Sequence, residues 1–550
     1  MRMHSTPLLA TRLTLVAAML LVTAATGRAQ SETAAAAAPR SSNVVLPVYD
    51  ALGTYARKVS TASAQAQSYF DQGLRLTFGF GHPTAKQSFR EAIRQDSTCA
   101  MCWWGLAWAL GPYINAGMDS TSGVEAYAAV QAAQRHAARG TAAEKALISA
   151  MATRYVAVPT RANRKPLDSA YANAMRNAMT QLPNDLDVAS LFGEALMVLR
   201  PWDQWTRSGQ PQPGTEEVLK TLESVLARNP RHPGACHHYI HATEASTAPQ
   251  RAAACADLLG AVIPGASHIP HMPSHTYMRM GRYADAVRAN QDAVIADIRA
   301  SYGGVPGIYP PHNLEMLLTS ATMDGQSGVA LQASRDVDRR YPNSGHHEQA
   351  ILARFGRWDE ILSATPPVGG LSHASTSAFA RGLAYLATGN RNRAQEELRN
   401  LDVLLAGSPT ANVAGHPAKA MIGIPRAILS AELDAANNRF DAAIATLRAA
   451  AILEDSLNYD EPEPWPIPVR HVLGAVQLEA GQVAEAERTY REDLADHPQN
   501  GWALFGLERA LRIQGKHADA DATAAEFKKA WARADVWLNG SRFAPRPPAR

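Results

Sequence analysis

Beyond its first 25 residues the chain has no apolar run near the roughly 18 residues a membrane-spanning helix needs. Excess charge of either sign is also lacking: 53 Lys and Arg stand against 50 Asp and Glu. Without a basic surplus there is no electrostatic reason to expect nucleic acid or an anionic membrane as partner. No stretch alternates apolar and polar residues at the strand period, which argues against a sheet-built fold. No Gly-rich phosphate loop precedes a helix, and no HExxH is present. Cysteines number four, at 99, 102, 236 and 255. What remains is an ordinary globular composition, 46% hydrophobic over 550 residues, ample for a core.

The one long apolar run is at the start. Arg2 and Arg12 precede Leu13 to Ala25, and Gly27-Arg28-Ala29 offers a small-x-small cleavage site. This pattern predicts a secretory signal peptide over 1–29, with a retained anchor as the alternative, and hence a periplasmic or secreted protein. Residues 30–44 are of low complexity and read as a flexible leader. Cleavage removes three arginines and no acids, taking the formal charge from +3 to zero and leaving no membrane span. In an oxidising compartment four cysteines permit two disulfides, and Cys99 with Cys102 and Cys236 with Cys255 is the pairing to test first.

The recurrent signal is a helical pair of 34 residues, the period of tetratricopeptide repeats (TPR). Leu473-Gly474, Gly481, Ala486, Tyr490 and Pro498 fall at the expected positions, with Leu507, Gly515 and Ala520 one period later. Gly382, Tyr385, Gly389, Ala394 and Leu398 mark another unit, and Ala431, Ala443, Leu447 and Ala450 a further one. Gly73, Ala85, Phe89 and Ala92 fit near the start, and Gly281, Tyr283 and Ala286 in the middle. The expected fold is all-α, a right-handed TPR-type solenoid of antiparallel helix pairs. It divides into an N-terminal repeat region over 45–300, a C-terminal array over 301–540 and a tail over 541–550. Three Gly/Pro-rich aromatic loops interrupt the pattern, at 200–214, 301–313 and 456–468. Such loops on a solenoid line or cover its concave face, or act as spacers.

Six of the 18 histidines lie between 237 and 275. His237, His241 and Glu244 share one face of a helix, by their spacing of four and three. His268, His271 and His275 follow at three and four, with Pro270 and Pro273 interrupting, so a helix is expected to begin near Ser274. Imidazoles and a carboxylate in this pattern present ligands to a transition metal: copper or zinc, with iron behind. His312 adds a ligand from the next repeat, or belongs to a cap network around Asn313. Met272, Met278 and Met280 lie near in sequence, and at helix spacing read as core. The Cys99-Ala-Met-Cys102 motif reads as a structural disulfide, a redox pair or two metal ligands. The His346-His347-Glu348 run reads as a solvated helix start.

CAMCWWG (99–105), PWDQW (201–205), HPGACHHYIHATEAS (232–246), HIPHMPSHTYMRMGRY (268–283), PPHN (310–313) and NGWALFGL (500–507) together resemble a family of exported bacterial TPR proteins. The resemblance covers about residues 60 to 540 and implies fold and export, but no activity. Glu315 stands where relatives carry a second histidine after PHN. Three functions stay open: a metal-binding repeat protein or metalloenzyme, a scaffold for a peptide or protein in the solenoid groove, and a redox protein using Cys99 and Cys102.

Overall fold

The computed structural model describes residues 46–342, 347–366, 369–413 and 415–544. The signal-peptide and leader expectations, His346 and residues 545–550 lie outside them. Among the described residues the chain is a succession of α-helices from Ala64–Phe78 to His517–Ala530, interrupted by one two-residue hairpin of Asn412–Val413 with His416–Pro417. Each helix packs chiefly on its neighbours in sequence, as in a TPR-type solenoid.

Local chemistry sets the helix ends. Ser63 and Asn500 accept from the N–H three residues on, and Thr141 with Glu144 forms a capping box. Pro233, Pro273 and Pro310 open helices where a missing N–H removes no bond. Between the helices of a pair, Gly281, Gly389, Gly481 and Gly515 have φ of 73°, 83°, 76° and 74°, a region that costs glycine little.

At two places the packing between pairs rests on an aromatic ring held between two glycines. Tyr490, on Val483–Asp496, fills the space between Gly474 and Gly506: a Cβ there would lie 2.5 Å and 2.1 Å from its ring. Phe89 stands likewise between Gly73 and Gly105, at 2.7 Å and 2.3 Å. The repeat glycines are thus contact surfaces that allow helix axes to approach.

One hydrophobic core runs from Leu52 to Ile308 and encloses Trp104 and Trp108. A second runs from Val287 to Trp502. The end of the chain straps the second: Asp535 accepts from the Ser327 and Gly328 N–H groups at 2.7 Å and 2.9 Å. Farther on, buried Arg542 pairs with Glu432 and with Glu479.

Candidate metal centre

The helix Pro233–Thr243 is capped by His232, whose Nδ1 accepts from the Ala235 N–H. Gly234 allows the close approach this helix needs, because a Cβ there would lie 2.4 Å from the Phe78 ring. In consequence His237 Nδ1 meets the Phe78 carbonyl at 2.6 Å. One turn later His241 Nδ1 stands 3.1 Å from Glu244 Oε1. The disulfide Cys236–Cys255 ties this helix to Ala253–Leu259.

The run from His268 is helical throughout. Short helices His268–His271 and Pro273–Arg279 join through Met272, which keeps helical dihedrals (φ −52°, ψ −37°). This differs from a helix beginning near Ser274. The reason is that Pro270 and Pro273 both fall in first turns, where proline is tolerated. His271 Nδ1 meets Asn290 Oδ1 at 2.7 Å, and Asn290 Nδ2 donates to the Ala286 carbonyl, which orients the amide oxygen toward the imidazole. His275 Nδ1 lies 2.7 Å from Glu244 Oε2, too poorly aligned for a hydrogen bond, and 3.5 Å from Glu461 Oε2.

The two His-bearing segments therefore meet. Ligand nitrogens of His237, His241 and His268 lie within 4.8 Å of one another, and so do those of His271, His275 and His312. The groups adjoin: ring centroids are 5.4 Å apart for His268 and His271, and 5.9 Å for His241 and His275. Except for half-buried His312, these histidines and Glu244 are at most 3% exposed.

The three Nδ1 hydrogen bonds have one effect. In His237, His241 and His271 the Nδ1 meets a carbonyl, carboxylate or amide oxygen, so the proton sits there and Nε2 keeps the lone pair. Outer-shell oxygens fix metal-ligating imidazoles in this way. His237 Nε2, His241 Nε2 and both nitrogens of His268 have no hydrogen-bond partner among the described residues. Each such orphan costs about 1–3 kcal/mol when buried. His271 Nε2 and His275 Nε2 stand 2.8 Å apart, a contact that requires a proton or a cation between them.

Electrostatics separates the groups by charge. Burial, with neighbouring imidazoles next, holds His237, His268 and His271 well below the usual histidine range, so they are neutral. His238 is driven down to about 3 by the same causes. Burial also pulls down on His275, but the Glu244 carboxylate outweighs it and raises this imidazole. Burial pushes Glu244 up, yet His275 and His241 together hold it below the carboxylate range. Burial raises Glu461, with Glu244 repelling it.

All three long loops reach this place. The first brings the Trp202 ring to 5.4 Å from His241 and is anchored by Trp205 Nε1 donating to the Ala242 carbonyl. The second brings Tyr309 to 5.0 Å from His268 and His312 to 4.7 Å from His271. The third brings Glu461, and Asn458 accepts from Arg207 of the first. Phe80, Trp202 and Tyr309, which all touch the histidines, are three of the five non-glycine residues with positive φ among the described residues. Sparsely populated backbone of this kind concentrates at functional sites.

Glu244, expected among the metal ligands, has one carboxylate oxygen against His241 Nδ1 and the other against His275 Nδ1. Glu461, Asn290, Phe78 and Phe80 are the participants the sequence reading did not single out. Only the loop around Glu461 carried a signal, and Phe78 acts through its backbone. Met272 is buried in the hydrophobic core. Asn313 is buried and donates to Asp297 and the Ile308 carbonyl, so the cap network and the cluster around His312 coexist. Half-buried His347 meets Asp338 at 3.1 Å. Cys99 and Cys102 are buried and joined by a disulfide at a helix start, with no thiolate left for a metal.

No family model matches the chain, and no curated protein matches it. Among solved structures it is similar to the TPR domain of P58(IPK), at 10% identity over 82% of this chain and 99% of that one, with a TM-score of 0.21. Yeast Tom70 matches at 11% over 85% and 93%, TM-score 0.28, and the human IFIT1 dimer at 10% over 86% and 92%, TM-score 0.31. At these identities and scores the likenesses carry neither a family nor a function.

Proposed function

We propose that this chain is an exported helical-repeat protein that binds a transition metal, copper or zinc, between adjacent repeats. The observation that carries the reading is the gathering of buried imidazole nitrogens into sets of three, with His237, His241 and His271 each hydrogen-bonded through Nδ1 to an oxygen. Neutral imidazole suits these borderline metals, and a metal would relieve the orphaned nitrogens. An ion with an open position there can polarise or deprotonate bound water, or exchange electrons. The loops carrying Trp202, Tyr309 and Glu461 would shape access to it. Export is supported by the N-terminal apolar run and by both disulfides.

The test is elemental analysis of chain purified gently without a histidine tag. Copper or zinc should copurify, and His241→Ala should lose it while keeping the helical circular dichroism. Negligible metal in the wild type, with none taken up on titration, would sink the reading. A second reading, a scaffold for a peptide or protein, draws on the regular repeat packing around Tyr490. It predicts partner binding that His241→Ala leaves intact.

A further inference from the structure

The histidine cluster holds more donors than one ion can use. Catalytic sites on a borderline metal use three protein ligands and keep a fourth position open. Here two complete sets of three imidazoles exist side by side, each with its nitrogens within 4.8 Å of one another. Each draws on two segments: His237 and His241 with His268, then His271 and His275 with His312. Resting on the metal-binding reading above, we infer that the site is dinuclear, with one ion on His237, His241 and His268 and a second on His271, His275 and His312.

Three observations support two ions over one. First, the sets adjoin, with 5.4 Å between the rings of His268 and His271, so ions held by the two sets would be neighbours. Second, Glu244 divides its carboxylate between the sets: Oε1 faces His241 Nδ1, and Oε2 faces His275 Nδ1. One carboxylate thereby orients a ligand of each ion and supplies negative charge to both. Third, a single ion answers only half of the unmet demand. An ion on the first set takes up one orphaned nitrogen each of His237, His241 and His268, yet leaves His271 Nε2 and His275 Nε2 facing each other at 2.8 Å. A proton can sit between that second pair, and this is the competing account. Glu461, whose Oε2 lacks a hydrogen-bond partner among the described residues, is a second carboxylate to balance a second ion.

The full chain, purified without a tag and stripped by a chelator, is titrated with Cu(II), with Zn(II) in parallel. Among the described residues no cysteine is free, so thiols do not compete for the metal. Two equivalents should survive gel filtration. At one equivalent the Cu(II) electron paramagnetic resonance spectrum should be that of an isolated ion. At two it should broaden, and integrate to fewer than two spins, because neighbouring ions couple. His268→Ala and His312→Ala should each retain about one equivalent with an isolated-ion spectrum. A single equivalent in the wild type, or two that add without coupling, overturns the dinuclear site and leaves the metal-binding reading standing. No uptake at all overturns both. Should either variant fail by circular dichroism, wild-type stoichiometry and coupling still decide.

Discussion

Glu244 is the residue on which the cluster turns, because its two oxygens face imidazoles from two different helices. Removing its charge leaves both rings less firmly held. Glu244→Gln is expected to weaken metal binding about 10- to 100-fold, as outer-shell changes do, measured by competition with a chelator of known affinity. A buried carboxylate away from the site makes a pH prediction. Glu194 accepts from Trp108 Nε1, and burial raises it to about 7 against nearby Arg154. Its ordinary value is 4.5, so between about pH 4.5 and 7 the folded chain binds the extra proton, and stability falls as pH rises. The shift corresponds to about 3 kcal/mol. Glu194→Gln should remove most of this decline, read as thermal midpoints at pH 5 and pH 7.5. At this scale the sequence marked the histidines by density and spacing. It could not mark Phe78, which contributes a backbone carbonyl, or Asn290, which lies 19 residues from the imidazole it meets.

Helix pairs are where the sequence was most legible. The repeat positions at Gly474, Gly481, Ala486 and Tyr490 follow from the packing they serve, since glycine under a ring permits close approach. Gly506→Ala would put a Cβ 2.1 Å from the Tyr490 ring. It is expected to destabilise the array by about 1–3 kcal/mol, the usual cost of overpacking, visible as a lower thermal midpoint with metal content unchanged. The His268 run was less legible. Proline reads as a helix breaker, and only first-turn positions for both Pro270 and Pro273 let the run stay helical. The disulfide Cys236–Cys255 holds the helix that carries His237 and His241. The double variant Cys236→Ala/Cys255→Ala should lose about 2–4 kcal/mol, tested by chemical denaturation against the oxidised wild type.

Across the whole molecule, contacts distant in sequence organise both the centre and the chain end. Arg542 is buried against Glu432 more than a hundred residues away. Arg542→Met would take the guanidinium away from that buried carboxylate and should cost about 3–5 kcal/mol, detected as early melting of the C-terminal array by hydrogen exchange. Glu461 likewise reaches His275 from the far half of the chain, across the face where the three loops meet. The sequence by itself determined the helical-pair architecture, because a 34-residue recurrence of small and large side chains admits few other packings. It also determined that His237, His241 and Glu244 share a helix face, because 3.6 residues per turn is a local property. Only the tertiary structure decided that the imidazoles sort into two adjoining sets, and which carboxylate stands behind them. Those relations depend on how neighbouring pairs stack and where the long loops fold back. Neither is encoded at any spacing along the chain.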